Sequence, residues 1–291
     1  MSQLKNNLKE KLSVVILCAG EGKRLKKVTK RNPKPLLKLE ILGHKSILQD
    51  TIFKFEKLGI EQIVIIIGHL GSTIVDFISK LSKNNVSFQN KLIVIDSKNR
   101  YKFGPLFSFL SITKNKTVYN EKNSYLLIPG DTIFDFNLLK SILSIISENT
   151  NLLHKYPFVF YQTTTLKRLR EIQPKKKIIS NAELDIEGSE IILKRISQIK
   201  IRSSHLQAEL KETIPVFYLN YETINEILNL KKDLPITTVW EALNYLISNK
   251  KRVNAYKVEN KYPYFDIDTK YDLKLLKKEE DNRCSDYSMN N

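Results

Sequence analysis

Short β-branched runs alternate with helix-patterned stretches through the first half of this 291-residue chain, and that alternation narrows its fold more than any other feature. Ser13 to Cys18 reads as a buried strand, apolar in the manner of a parallel strand covered on both faces. Ser46 to Leu58 then places Ile47, Leu48, Ile52, Phe55 and Leu58 near helical spacing, with Gly59 as its C-terminal cap. Gln62 to Ile67 is a second strand. Ser72 to Leu81 predicts a helix with Ser72 or Thr73 as N-cap. Leu92–Ile95 and Ser124–Ile128 read as strands, and Pro105–Thr113 and Asn137–Ser147 as helices. Strand and helix alternating at this pitch predict a parallel sheet with right-handed crossovers, whose ligands sit beyond the carboxyl ends of the strands.

From Tyr156 the pattern changes. Phe158–Gln162, Glu190–Lys194 and Thr213–Leu219 read as strands separated by polar stretches at Gln173–Ser180 and Ser203–Lys211. A helix over Val239–Ser248, a strand over Val253–Val258 and a final helix over Thr269–Lys278 follow. The expected fold is α/β, Rossmann-like, with a mainly parallel sheet flanked by helices and a smaller mixed-sheet part. One domain over 1–278 is expected, divided near residue 150 into a part over 13–150 and a part over 151–278, with 279–291 a frayed polar tail.

The first strand runs into Ala19-Gly20-Glu21-Gly22-Lys23-Arg24-Leu25, and Pro33-Lys34-Pro35-Leu36 follows. Glycines without a Cβ let backbone N–H groups approach a phosphate, and successive N–H groups make an anion nest. Arg24 and Lys34 add two positive charges beside it. Two better-known loops are excluded. A dinucleotide loop needs a third glycine where Leu25 stands, and a Walker loop needs a hydroxyl after Gly22-Lys23, where Arg24 stands. The remaining reading is a loop that handles a triphosphate.

Net charge is +17, which invites a nucleic-acid reading. The basic residues are nevertheless spread along the chain, except that eight of the sixteen residues from Lys23 to Lys38 are Lys or Arg. That density suits a bound triphosphate, and specific nucleic-acid binding is not expected. Cys18 and Cys284 are the only cysteines, too few for a disulfide framework, so a reducing cytoplasm is expected. No apolar run is long enough to span a bilayer, so membrane insertion is not expected either, and Met1–Lys11 lacks the apolar core of a secretory signal. His44, His69, His154 and His205 lie at unrelated spacings and read as structural or surface residues.

Two carboxylates stand out. Tyr125-Leu126-Leu127-Ile128-Pro129-Gly130-Asp131 is a strand ending in Gly-Asp, and Phe265-Asp266-Ile267-Asp268-Thr269 is an acidic turn entering a helix. A plain explanation exists for each, since Asp131 could cap a turn or the helix near Asn137, and Asp268 could be a helix N-cap.

The glycine loop, the strand–Gly-Asp element and the Asp-Ile-Asp-Thr-x-x-Asp-Leu element together resemble the signatures of the nucleotidyltransferases that activate sugar phosphates and phospho-alcohols. Gly20, Gly22, Arg24, Leu25, Thr29, Pro33, Lys34, Pro35 and Leu36 match in register, whereas Lys27 replaces a proline. The resemblance implies Mg2+ bound by Asp131 and Asp268, with Asp266 as a neighbour that shares or orients it. It implies that Arg24 grips the β- and γ-phosphates and that Lys34 steadies the α-phosphate. Backbone at Leu17, Ala19, Gly20, Gly22 and Gly130, with Asn99 and Gly104, would meet the nucleotide. The family's acceptor lysine lies in Glu-Lys-Pro; here the stretch reads Ser197-Gln198-Ile199-Lys200, so Lys200 is the candidate.

The activity implied is transfer of a nucleoside monophosphate from an NTP to a sugar 1-phosphate, with pyrophosphate released and an NDP-sugar formed. Two alternatives stay open: a CTP-dependent cytidylyltransferase for a non-sugar phospho-alcohol or phosphonate, and a non-catalytic nucleotide-binding regulatory subunit. The partners expected are an NTP and a phosphorylated small-molecule acceptor. A homo-oligomer is compatible with the sequence, which does not decide it.

Overall fold

Period-two burial divides the first strands between two cores. In the computed structural model, which describes residues 12–25, 29–152, 154–172, 178–200, 209–230, 234–259 and 261–276, β1 spans Leu12–Leu17 and β2 spans Gln62–Ile67. β3 spans Leu92–Asp96 and β4 spans Ser124–Pro129. All four run parallel in the order β3-β2-β1-β4. Val14, Ile16, Ile63, Ile65, Leu126 and Ile128 enter one core, and Val15, Val64, Ile66, Tyr125 and Leu127 the other. The strands read as unbroken apolar runs because helices cover both faces.

On the first face lie α1 (Ile47–Lys57), α2 (Gly71–Asn84) and, after α3 (Pro105–Phe109), α4 (Phe136–Glu148). The second face is covered by α3 and, after α5 (Leu166–Ile172), by α6 (Tyr221–Leu228) and α7 (Val239–Ser248). Each fully buried Ile or Leu contributes about 1.5–3 kcal/mol. Ser46 caps α1 by accepting from Gln49 N, and Thr238 with Glu241 forms a capping box on α7. α2 differs from expectation. It begins at Gly71 after Leu70 in the left-handed region (φ 53°), so neither Ser72 nor Thr73 is its cap. The helix expected over Pro105–Thr113 is α-helical only to Phe109 and tightens to a 3-10 turn over Leu110–Lys114.

The sheet as a whole is mixed, which corrects the expectation of a mainly parallel one. After β5 (Thr132–Phe134) come β6 (Phe158–Thr165), β7 (Ile178–Glu187), β8 (Glu190–Lys200), β9 (Glu209–Asn220), β10 (Asn254–Lys257) and β11 (Tyr264–Asp266). β9 inserts antiparallel between β4 and β6, β6 runs parallel to β10, and the β8–β7 hairpin closes the edge. Among the described residues one nine-stranded sheet thus carries both halves of the chain. The polar stretch expected to separate strands at Gln173–Ser180 already belongs to β7 from Ile178 onward.

β5 and β11 form a separate two-stranded ribbon, with Thr132 opposite Asp266 and Phe134 opposite Tyr264. The last helix expected is helical over 270–276. Lys27, His205, Cys284, residues 277–278 and the tail over 279–291 lie outside the described residues. Among the described residues no helix is long and apolar enough to cross a membrane.

Candidate active site

The carboxyl ends of β1 and β4 lie side by side, with Leu17 paired to Pro129. The chain leaves β1 through Cys18, whose N–H still bonds Ile66 O, and turns at Gly20 and Gly22. Gly22 has φ +60°, and a Cβ there would lie 3.3 Å from Thr29 Oγ1; at Gly20 a Cβ would meet nothing within 4 Å. The Gly20 face of the loop is therefore open while Thr29 backs the other side. A 3-10 turn over Lys34–Leu36, started by Pro33 and Pro35, turns Lys34 inward until it is 6% exposed.

The Lys34 ammonium lies 2.6 Å from Asp131 Oδ2 and 3.3 Å from Asp268 Oδ1, and Arg24 Nη1 lies 2.8 Å from the other oxygen of Asp268. Burial alone would lower the Lys34 pKa, but the charge of Asp131, the bond to it and the same effects from Asp268 outweigh burial and hold it above the ordinary lysine value. Burial, then the charge of Asp131, pushes the Cys18 thiol well up, so it is an inert core group.

Neither carboxylate performs the local duty that could have explained it. Asp135, not Asp131, caps α4, accepting from the N–H groups of Asn137 and Leu138. Asp272, not Asp268, accepts from the N–H groups of Asp268 and Thr269 at the start of the last helix. The β5–β11 ribbon is what brings the two together, extended by Ile267 N donating to Asp131 O. Asp266 accepts from Thr132 Oγ1 at 2.6 Å within that ribbon.

Two cavities meet this centre. A cavity of about 220 Å³ is bounded by Leu17, Ala19, Gly20, Gly22, Lys34 and Asp131, with Tyr101, Pro105 and Ser108 opposite. A larger one of about 730 Å³ is bounded by Arg24, Asp266 and Asp268 and by Gln198, Glu212, Thr213 and Tyr264. Tyr264 is buried, its hydroxyl donating to Thr213 O at 3.4 Å; burial, then the charges of Glu212 and Asp266 and a bond to Glu212, holds its phenol well above the usual range.

Other expected site residues fall elsewhere. Asn99 is exposed on the 3-10 segment Lys98–Phe103 and does not line the smaller cavity, whereas Tyr101 of the same segment does. Gly104 has φ +121°, and a Cβ there would stand 2.6 Å from Thr237 O, so close packing explains it. Lys200 is exposed at the end of β8, and Gln198, on the same face of the strand, lines the larger cavity instead. Tyr101, Ser108, Gln198, Glu212 and Thr213 were not singled out from sequence. One signal for Tyr101 is Gly68, where a Cβ would come within 2.7 Å of the Tyr101 ring.

Gly130 is a packing glycine: a Cβ there would lie 2.6 Å from Cys18 Sγ and 2.7 Å from Leu17 O. Gly130→Ala is expected to push β4 from β1 and destabilise the fold by about 1–3 kcal/mol. Denaturant titration checks this, and an unchanged midpoint would show that the contact yields freely.

Two hard oxygen donors, partly exposed and already sharing a cation in Lys34, suit magnesium, which takes one or two carboxylates and completes its shell with water and substrate phosphates. Among the described residues no group of three His, Cys, Asp or Glu could hold a metal, so a closed protein cage is not formed there.

Residues 13–168 match the family described as nucleotidyl transferase. The bifunctional protein GlmU of Methanococcus maripaludis is 28% identical over 129 residues, covering 43% of this chain and 26% of that protein. The match thus spans about a quarter of the relative's length. The inositol-1-phosphate CTP transferase of T. maritima superposes with a TM-score of 0.63 at 19% identity, over 91% of this chain and 95% of that one. UDP-glucose pyrophosphorylase in complex with UDP-glucose gives 0.66 at 17% identity, over 93% and 98%. These likenesses in structure show a shared fold.

Proposed function

This chain belongs to the nucleotidyl transferase family, and on that premise we propose that it transfers a nucleoside monophosphate from an NTP to a sugar 1-phosphate. The observation that carries the reading is the buried Lys34 ammonium shared by Asp131 and Asp268 where two cavities meet. A phosphate oxygen of the acceptor bonds to the α-phosphorus as the bond to the β-phosphate's bridging oxygen breaks, and pyrophosphate leaves with that electron pair. The attacking phosphate is already ionised at neutral pH, so no general base is needed.

In this reading the open face of the Gly20–Gly22 loop holds the triphosphate and Arg24 releases Asp268 to grip the β- and γ-phosphates. Lys34 meets the charge that gathers on the α-phosphate in the transition state. Asp131 and Asp268 would hold magnesium, whose chemistry when bound is to neutralise phosphate charge and align the reacting oxygens. The part over 13–150 serves the nucleotide in the smaller cavity, and the part over 151–278 supplies most of the acceptor cavity. A cytoplasmic location, where nucleoside triphosphates are made, accords with this.

A second reading, a cytidylyltransferase for a non-sugar phospho-alcohol or phosphonate, draws on one observation. Ser197–Lys200 lacks Glu-Lys-Pro, and Lys200 stands outside the larger cavity. A thermal-shift panel of ATP, CTP, GTP and UTP with magnesium, followed by pyrophosphate release with each acceptor class, tests both. Stabilisation by one NTP together with pyrophosphate release to a sugar 1-phosphate is the expected result. Selective response to CTP with phosphocholine or a phosphonate would favour the second reading. Tight NTP binding without pyrophosphate release would overturn both and favour a binding subunit.

A further inference from the structure

Asp131 and Asp268 can share a cation only while the β5–β11 ribbon keeps its place, and that ribbon is a weak support by itself. Its strands are three residues long, and among the described residues it forms a sheet of its own outside the nine-stranded one. Two strands of that length are marginal in water without help from other elements. β5 follows β4 directly after Gly130 and Asp131, so its start is fixed by the chain itself. β11 has no such tether. It arrives from β10 through a surface turn in which Glu259, Lys261 and Pro263 are exposed.

Two polar side chains reach the ribbon and this turn from other elements. On β6, Phe158 and Phe160 enter the first core, and Gln162 continues their face at 6% exposure. Its Nε2 donates to Glu259 O at 3.0 Å and to Tyr262 O at 2.8 Å. An amide nitrogen carries two N–H donors, so this one side chain bridges the turn. Val258 N donates to Tyr161 O just before the turn, and Asp135 N donates to Pro263 O just after it. The Gln162 amide therefore holds the stretch between those two backbone bonds.

Lys54 of α1 holds the other strand. Its Nζ donates to Asp50 Oδ2 at 2.5 Å and to Phe134 O at 2.6 Å. A lysine paired with a carboxylate one turn back is common on helices and contributes little. The bond to Phe134 O differs, because it fastens the last residue of β5 to a helix of the main layer. Phe134 pairs with Tyr264 across the ribbon, and their rings stack with centroids 6.3 Å apart. Neither Gln162 nor Lys54 lines either cavity of the active site.

We infer that Gln162 and Lys54 are positioning residues, which fasten the ribbon and so set how Asp268 stands against Asp131. The inference rests on the transferase reading only for what the two carboxylates hold. The path is short: Gln162 fixes the turn, the turn delivers β11, Ile267 N bonds Asp131 O, and Asp268 follows. A turn left free would let β11 open from β5, and Asp268 would move with it. Residues that orient metal-binding side chains from behind commonly govern metal affinity in this way.

The test uses the full chain, with Gln162→Met and Lys54→Met removing the donors from side chains of similar length. Ile78→Ala serves as a variant weakened by a core cavity alone, on α2 against β3 at the far edge of the sheet. The first readout is hydrogen exchange of the protein without ligand or metal. Amides over 264–267 are expected to exchange at least about tenfold faster in Gln162→Met, while those of β1 and β4 change far less. Lys54→Met should act in the same direction over 132–134. The second readout is the thermal shift given by ATP, CTP, GTP and UTP, each at fixed concentration, as magnesium is titrated. For the NTP that responds, half-saturating magnesium should rise about tenfold in both variants and stay at the parent's value in Ile78→Ala. Turnover should return towards the parent's at high magnesium, because neither residue touches substrate.

Exchange over both segments within about twofold of the parent in both variants overturns the inference, as does equal acceleration throughout β1 and β4. So does a magnesium requirement that stays at the parent's value in both while Asp131→Asn raises it, or that rises equally in Ile78→Ala. If Gln162→Met does not fold, Lys54→Met decides by the same readouts. An unchanged magnesium requirement in Asp131→Asn and Asp268→Asn would overturn the metal reading instead, and no response to any NTP the transferase reading. Hydrogen exchange would still decide this inference in either case.

Discussion

Lys34→Met is expected to slow acceptor-dependent pyrophosphate release by about 10²–10³-fold, the usual loss when one preorganised electrostatic contact to a transition state is removed. The residue is 6% exposed and its ammonium touches both Asp131 and Asp268, so no neighbouring cation can take its place without moving. Arg24 already pairs with Asp268 through a side chain that is 73% exposed, and it reaches the centre from the solvent side. Lys34→Arg should fail nearly as badly, since a planar guanidinium needs a wider slot than a buried ammonium. The fold should survive. Asp131 and Asp268 are 40% and 50% exposed, so water screens the repulsion they feel once their shared cation is gone. A melting curve and a turnover assay on the same preparation separate the two effects. A folded variant working within about tenfold of the parent would remove Lys34 from the chemistry, because the expected loss is larger than that.

How far such a centre can be read from sequence depends on where its information lies. The glycine loop, Lys34 and the strand–Gly-Asp element are local: a strand, a turn and a fixed spacing put them at one sheet edge, and the structure brings the loop, Lys34 and Asp131 to one cavity. The meeting of Asp131 with Asp268 is not local. It is made by a ribbon of three-residue strands, too short to show any period, joining segments as far apart in sequence as Thr132 and Asp266. β7 was hidden for a different reason. Only Ile179 and Ala182 of its ten residues are buried, so its stability comes from pairing with β8 rather than from an apolar face that alternation could reveal.

The acceptor side was the least legible part. β8 extends to Lys200, beyond the segment expected to end at Lys194, and its alternation puts Gln198 and Lys200 on one face, of which Gln198 lines the cavity and Lys200 does not. Asn99 lies off the smaller cavity for a similar reason, because within one 3-10 segment a shift of two residues moves the inward position to Tyr101. Glu212 and Thr213 carry no motif at all. Their place is created by a strand that inserts between two others far from it in sequence, which leaves no mark that a single sequence displays.

Asp131→Asn and Asp268→Asn should each cut turnover by about 10²–10³-fold, and each should raise the magnesium concentration for half-maximal rate by about tenfold or more. An amide keeps the size and one acceptor oxygen but loses the charge that holds a hard cation. The two variants should nevertheless differ in the protein without ligand. Asp268 is bonded by both Lys34 and Arg24, so its loss frees Arg24, whereas Asp131→Asn leaves the Arg24–Asp268 pair intact. NTP binding without magnesium should therefore tighten in Asp268→Asn, where Arg24 is released towards the phosphates while Lys34 keeps its bond to Asp131, and tighten less in Asp131→Asn, where Arg24 stays paired. Asp266→Asn serves as the comparison, because Asp266 accepts from Thr132 within the ribbon; a smaller rise in the magnesium requirement would assign it to orienting the centre. Magnesium titrations of rate and of NTP-induced thermal shift, run on all three variants, supply the readout. If the half-saturating magnesium stayed at the parent value in both Asp131→Asn and Asp268→Asn, the two carboxylates would be partners of Lys34 only, and the metal would have to be held by the substrate phosphates alone.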